Sequence, residues 1–287
     1  MNTDLIKQYD LHCHSTASDG ELSPVDLVRH AVASGVQVLA LTDHDVTDGY
    51  AAAASEAQAC GLKFIAGVEI SVTWGKHLIH IVGLNIGVDN AELQSGLAGL
   101  RQQRITRAAE MAQRLARLGI EDALEGAQAY ANGQIISRTH FARFLLQSGQ
   151  VKNMQDAFDR YLGEGKKAYV PAEWTSLEQA LGWITGAGGQ AVIAHPSRYK
   201  LSATKLRRLI DEFKAAGGAA LEVISGRQDV NTTRNMADYA SRYELLASVG
   251  SDFHGPSQAW SNMGQIPALP KGCQPIWGSW TDEQSRL

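Results

Sequence analysis

Val36-Gln37-Val38-Leu39-Ala40-Leu41-Thr42-Asp43-His44 is a nearly unbroken apolar run that ends abruptly in an acid and an imidazole. A strand with one wet face alternates apolar and polar residues. A run like this is expected of a strand buried on both faces, as in parallel sheets covered by helices. Its flanks agree. Upstream, Ser23-Pro24 supplies an N-cap and a first-turn proline for a helix to about Ala33, ended by Gly35. Downstream, Tyr50 to Cys60 reads as an Ala-rich helix stopped by Gly61, and Leu62 to Glu69 as the next strand. Gln8 to His14 precedes them as a short strand.

The rhythm continues with a strand at Leu78 to Leu84, after a turn at Gly75-Lys76, and then stops. From about Asn90 to Lys167, Ala, Leu, Gln and Arg dominate and β-branched runs disappear. Glu92 to Leu118 reads as one long helix or two with a break, with shorter helices at Phe141 to Gln147 and Met154 to Leu162. The alternation resumes with helices at Ser176 to Thr185, Ser202 to Ala216 and Asn231 to Tyr243. Strands fall at Gln190 to His195, Ala219 to Ser225 and Leu245 to Asp252. Strands alternating with helices give a parallel sheet, and about seven such units suffice to close an α/β barrel. The expected organisation is a barrel from residues 1–89 and 168–287, interrupted by a helical insertion at 90–167 that forms part of the substrate pocket. The tail from Gln265, with Pro267, Pro270, Trp277 and Trp280, is expected to pack over the bottom or side of the barrel.

The 287 residues, 44% of them hydrophobic, are enough for a barrel-sized core. A net charge of −4 gives no global basic field for a DNA duplex, so any nucleic-acid contact must be local. Met1-Asn2-Thr3-Asp4 has none of the features of a signal peptide, and no apolar stretch reaches membrane-spanning length. Cys13, Cys60 and Cys273 are odd in number, with no Cys-x-x-Cys pair. They read as reduced thiols of a cytoplasmic protein, which leaves imidazole and carboxylate as the metal donors. No membrane and no obligate protein partner is expected.

Six of the nine histidines sit at or near the ends of apolar runs, several beside a carboxylate. His12 and His14 lie two apart, so on a strand both face one way while Cys13 faces the other. His44 follows the run quoted above, Glu69 closes Gly67-Val68-Glu69, and His80 lies within Leu78-Ile79-His80-Ile81-Val82. His195 ends Ala194-His195-Pro196, and Asp252 and His254 end Ser251-Asp252-Phe253-His254. A single histidine at a strand end is more often a hydrogen-bonded core residue than a ligand. Several such ends converging on the carboxyl rim of a barrel point instead to one polynuclear metal site. A carboxylate such as Glu69 can bridge two cations held about 3.5–4 Å apart, and the donor set suits manganese, iron or zinc.

These motifs, in this order, resemble the PHP (polymerase and histidinol phosphatase) family. Asp10-Leu11-His12-Cys13-His14 with Ser18-Asp19-Gly20 is similar to its first motif, and Thr42-Asp43-His44-Asp45 to its second. Gly67-Val68-Glu69, Ala194-His195-Pro196 and Ser251-Asp252-Phe253-His254 are similar to the rest. The resemblance spans nearly the whole chain. It implies a distorted (β/α)7 barrel with three divalent cations, manganese foremost. The first would be held by His12, His14, Glu69 and Asp252, the second by Glu69, His80 and His195, and the third by Asp19, His44 and His254. Ile136-Ser137-Arg138-Thr139-His140-Phe141-Ala142-Arg143 and Gly163-Glu164-Gly165-Lys166-Lys167-Ala168-Tyr169 resemble a bacterial branch of that family. That branch implies action on nucleoside 3′,5′-bisphosphates, releasing the 3′-phosphate, and on short 5′-phosphorylated RNA in a 5′-to-3′ direction.

Phosphate recognition calls for Arg forks and Lys charges. Arg138, His140, Arg143, Lys167 and Arg227 are the expected substrate contacts, with Lys166 beside them. Arg101, Arg104, Arg107, Arg114 and Arg117 recur on the long helix and read mainly as a solvated face, with a local track for RNA as the alternative. His30 reads as structural. Metals bridged by a carboxylate lower the pKa of a water towards neutrality, and phosphoryl transfer needs mainly positioning and charge stabilisation. Glu69 and Asp252 are therefore expected to be indispensable. Asp43, Asp45 and His195 are the candidates to protonate the leaving oxygen. The rival readings are a histidinol-phosphate phosphatase, an amidohydrolase cleaving a C–N bond, and a non-catalytic metal-binding module.

Overall fold

The computed structural model describes residues 8–131, 135–257 and 263–280; the reading of Met1 to Asp4 falls outside them. Seven strands form one sheet in chain order, β1 (Tyr9–Asp10), β2 (Val38–Leu41), β3 (Lys63–Trp74), β4 (His77–Leu84), β5 (Gln190–Ile193), β6 (Ala220–Ser225) and β7 (Leu246–Gly250). The segments after β1 and β7 meet and nearly close the barrel. There the Leu11 amide donates to Val249 at 3.1 Å, Asp252 to His12 at 2.8 Å and His14 to Phe253 at 2.9 Å.

The sheet is not wholly parallel, as the alternation of strands and helices led one to expect. β4 runs antiparallel to both neighbours, with Glu69 opposite Val82 and Ile81 opposite Ile193. Gly75, at φ +58°, turns the chain tightly enough to pair β3 and β4 as a long hairpin with no helix between them. β3 also continues five residues past Glu69, through Ser71 and Thr73 to Trp74.

Along each strand the side chains alternate between the barrel interior and the surrounding helices. Val38 and Ala40 join Leu11, Ile65, Val82, Val192 and Ala220 in an apolar plug inside the barrel. Leu39 and Leu41 face outward onto α1 (Pro24–Ala33) and α2 (Tyr50–Cys60). The inward parity that places Ile65, Val82 and Ala220 in the plug carries Glu69, His80 and Glu222 into the interior one layer higher. Trp277 stacks on Tyr9 at 4.0 Å, and the Trp280 indole donates to Gln190 at 2.6 Å, so the tail seals the opposite, amino end of the strands.

α3 (Ala91–Ala116) is a single helix that serves two cores. Leu93, Leu97 and Leu100 pack on the barrel with α7 (Leu177–Gly186). Ala108, Met111 and Leu115 join α4 (Ala123–Gln128), α5 (Arg138–Gln147), α6 (Met154–Ala157) and a turn of π-helix at Phe158–Leu162 in a second cluster. α8 (Ala203–Ala215) and α9 (Val230–Arg242) complete the outer layer. Among the described residues, no helix is long and apolar enough to cross a membrane.

Candidate metal centre

The nine acids and imidazoles singled out by sequence converge. Nearly all are buried, in overlapping groups of potential donors: His12, His14 and Asp252; His12, Glu69 and His195; His44, Glu69 and His80; and His14, Asp19, His44 and His254. Glu69, completely buried on β3, is the hub. Its Oε1 lies 3.0 Å from His195 Nε2, 3.1 Å from His80 Nδ1 and 3.3 Å from His12 Nε2. Its Oε2 lies 2.8 Å from His44 Nδ1 and 3.4 Å from His14 Nε2. Asp252 Oδ1 approaches His14 at 3.2 Å and His12 at 3.5 Å, and Asp19 Oδ1 approaches His254 at 3.4 Å and His44 at 3.9 Å.

The backbone is bent to make this possible. His195, Asp252 and Asp45 adopt left-handed conformations with φ of 30°, 53° and 53°, each just past the end of a strand or apolar run. Such residues cost about 1–2 kcal/mol each and recur where a site over-determines the chain. Gly250 is required for a different reason. A Cβ there would fall 2.2 Å from His12 Cβ and 2.7 Å from Glu222 Oε1.

Whether this donor set suits cations can be judged from its own atoms. His12 Nε2, both His14 ring nitrogens, Asp19 Oδ1, His44 Nδ1, Glu69 Oε2 and His195 Nδ1 are buried without a hydrogen bond. Buried polar atoms are rarely left so, and here most of them converge with mixed imidazole and carboxylate chemistry, which fits divalent metals. The electrostatics agree. Burial alone would raise Glu69, but His80, His44 and His12 outweigh it and hold its carboxyl well below the usual range. Asp19 and Asp252 are likewise held low against burial, by His254 and His44 and by His12 and His254 respectively. Burial pulls the His14 imidazole down to about 3, with His254 and His44 adding to the effect. Burial also depresses His254, but Asp19 and Asp252 push it up to about 9. Protons and cations therefore compete for the same nitrogens.

Glu222 stands behind the donor cluster and was not foreseen. Its Oε1 lies 3.0 Å from His12 Nδ1, which directs Nε2 at Glu69 and Asp252, and its Oε2 accepts the His195 amide. A carboxylate behind a ligating histidine fixes its tautomer and orientation. The signal was present in sequence, since Glu222 interrupts an apolar strand just as Glu69 does.

Above the nine residues lies a cavity of about 240 Å³. Arg104, Arg107, Arg138 and Arg198 line it with Trp174 and Phe158. Arg104 is buried, paired with Asp45 at 2.6 Å and 5.0 Å over the Trp174 ring, so it does not belong to a solvated face. Arg107 donates to the Val170 carbonyl at 2.9 Å and also faces Trp174. Arg101 donates to the Asp45 carbonyl, and Arg114 to Glu110 and the Tyr169 carbonyl; of the five, only Arg117 is exposed. Arg198, from the turn after His195, pairs with Asp252.

Of the expected substrate contacts, Arg138 alone reaches this cavity. His140 is buried and accepts the Ser137 amide at 3.1 Å, closing a capping box on α5. Arg143 donates to the Asp19 carbonyl and to Glu21, in an adjoining cavity. Lys166, Lys167 and Arg227 are exposed and lie outside this cavity. The stretch holding the two lysines acts instead through the Tyr169 and Val170 carbonyls, which anchor Arg114 and Arg107. Asp43 is turned away from the cavity and accepts from Ser15 and Ser18 at 2.6–2.7 Å, while Asp45 is engaged by Arg104 and the Ser71 amide. His30 stacks on Phe253 at 5.0 Å.

A nearly closed α/β barrel, with buried imidazoles and carboxylates gathered at one rim beneath four arginines, defines a metal-dependent phosphoesterase. The chain belongs to the PHP family: residues 10–225 match the PHP domain. It is 48% identical over 269 residues to a 3′,5′-nucleoside bisphosphate phosphatase of Chromobacterium violaceum, covering 93% of this chain and 94% of that one. It is 45% identical over 279 residues to the 5′-3′ exoribonuclease Rnm of Escherichia coli strain K12, covering 96% and 95%. A solved structure from Chromobacterium violaceum, described as an amidohydrolase with bound sulfate and no metal, superposes with a TM-score of 0.91 at 47% identity, over 94% of this chain and 95% of that one.

Proposed function

We propose that this chain removes the 3′-phosphate of a nucleoside 3′,5′-bisphosphate, leaving the 5′-monophosphate, and shortens 5′-phosphorylated RNA from its 5′ end. One observation carries the reading: nine clustered donor residues, seven of which line a cavity walled by four arginines. The names of the relatives above narrow the substrate. Both activities break the same bond. Water supplies an oxygen to phosphorus, the P–O3′ bond breaks, and the first nucleotide leaves with its 3′-oxygen protonated. What keeps the phosphorus is inorganic phosphate in one case and the remaining RNA in the other.

In this reading one cation is held by His12, His14, Glu69 and Asp252, a second by Glu69, His80 and His195, and a third by Asp19, His44 and His254. Manganese is the first choice, and iron or zinc accept the same donors. Cations bound there supply Lewis acidity and a water whose pKa is brought towards neutrality. Arg104, Arg107 and Arg138 bind and orient the substrate's 5′-phosphate, and Arg198 neutralises charge near the scissile phosphate. Residues 90–167 act as a helical cap that carries three of those arginines over the barrel rim. Of the candidates for protonating the leaving oxygen, His195 lines the cavity, whereas Asp43 and Asp45 are engaged elsewhere.

The test is phosphate or nucleotide release by the manganese-loaded protein from adenosine 3′,5′-bisphosphate, a 5′-phosphorylated RNA oligonucleotide and histidinol phosphate, assayed in parallel. The first two are expected to turn over, with histidinol phosphate at least about 100-fold slower, because it lacks the second phosphate the arginines would hold. Preference for histidinol phosphate, or turnover confined to C–N bonds, would overturn the proposal.

A further inference from the structure

The cavity over the donor cluster adjoins a second and larger one of about 850 Å³, and the two share Thr139, Phe158 and His254. The second cavity lies between α5 and α6 of the cap and the barrel loops at Glu21 and Ser257. Its wall mixes Leu146 and Met154 with Arg143, Asn153 and Gln155. Arg143 is fixed by the Asp19 carbonyl at 3.3 Å and Glu21 Oε1 at 3.4 Å, and Ser257 also donates to Glu21. The acid facing the cavity is thus already engaged.

A mononucleotide whose scissile phosphate is terminal has nothing beyond phosphorus to fill such a space. A polynucleotide does. With the first nucleotide beneath the arginines of the first cavity, the chain continues past the metals on the His254 side. An apolar and aromatic surface for a base, bordered by an anchored guanidinium for a phosphodiester, is the usual composition of a single-strand subsite. We propose that this second cavity binds the nucleotide on the 3′ side of the scissile phosphate. On this basis Leu146, Met154 and Arg143 set the preference for RNA ends over mononucleotides. The inference rests on the function proposed above and names where the longer substrate lies.

The experiment compares kcat/KM for a 5′-phosphorylated RNA trinucleotide and for adenosine 3′,5′-bisphosphate, in wild type, Leu146→Glu and Met154→Ala. Leu146 is 37% exposed on α5, so a carboxylate there is compatible with folding, and it lines the second cavity. The ratio of RNA to mononucleotide kcat/KM is expected to fall at least about tenfold in Leu146→Glu, through lost base contact and like-charge repulsion. Met154→Ala should lower it less, through KM. An unchanged ratio in both variants, or an equal loss on both substrates, overturns the inference while leaving the proposed function standing. A wild-type protein that turns over the mononucleotide alone overturns the inference together with the RNA half of the proposed function. A wild-type protein inert on both substrates sinks the proposed function and this inference with it.

Discussion

Glu69 is the residue on which the site turns, because both carboxylate oxygens face imidazoles and neither can be satisfied by solvent. Glu69→Ala or Asp252→Ala should lower turnover by at least about a thousandfold, comparable with the loss of a central electrostatic contact in other enzymes, and should reduce bound metal. Near-normal activity together with a lost metal would contradict the bridging role. Glu222 offers a subtler case. Glu222→Ala should weaken metal affinity about 10–100-fold, the usual consequence of removing the partner behind a ligating histidine. The readout is metal titration followed by elemental analysis, and affinity equal to wild type would remove Glu222 from the account. The donor cluster was legible because each of its members breaks or ends an apolar run. Glu222 carries the same mark but lies inside its strand, Ala219 to Ser225, where Glu69 was read as closing one, and it was passed over. The cavity arginines were less legible, since a guanidinium at a loop junction looks alike whether it lines a cavity, as Arg138 does, or is exposed outside it, as Arg227 is.

At the scale of the element, α3 shows why the arginines were misjudged. Its buried face runs Leu93, Leu97, Leu100, Arg104, Ala108, Met111, Leu115, so Arg104 occupies a position in the apolar stripe itself. A charged residue on that stripe must be paired, and Asp45 and Trp174 receive it. The strand after Leu62 was read correctly in kind but cut at Glu69, because Thr73 and the tight turn at Gly75 hid its continuation to Trp74. α5 yields a pH prediction. Burial lowers His140 to about 4, against about 6.5 unfolded. The unfolded chain therefore binds this proton more readily. The neutral ring's contribution is fully present above pH 6.5 and is lost as pH falls towards 4, with a ceiling of roughly 3 kcal/mol. The stability difference between wild type and His140→Gln, from denaturant midpoints, should shrink between pH 7.5 and pH 5. A constant difference would mean that His140 does not titrate in this way.

At the scale of the whole molecule, α3 packs in both the barrel core and the second helical cluster, and its Arg104 and Arg107 line the cavity over the rim. The alternation of strands and helices fixed the barrel because each buried parallel strand is an apolar run. The antiparallel β4 escaped it, since strand direction depends on how the connection packs and not on the strand's own residues. A centre this rich in buried charge should make stability depend on cations. Saturation a thousandfold above Kd contributes about 4 kcal/mol per site, so a chelator should lower Tm by about 5 °C or more. An unchanged Tm would argue against occupied sites in the folded protein. The most direct measurement of the central claim couples metal content to chemistry. Chelated protein is titrated with manganese while metal per chain and phosphate release from adenosine 3′,5′-bisphosphate are followed together. The account predicts activity that is absent without metal, rises as the sites fill, and is not restored by metal in Glu69→Ala. Full phosphate release from the metal-free protein would contradict it.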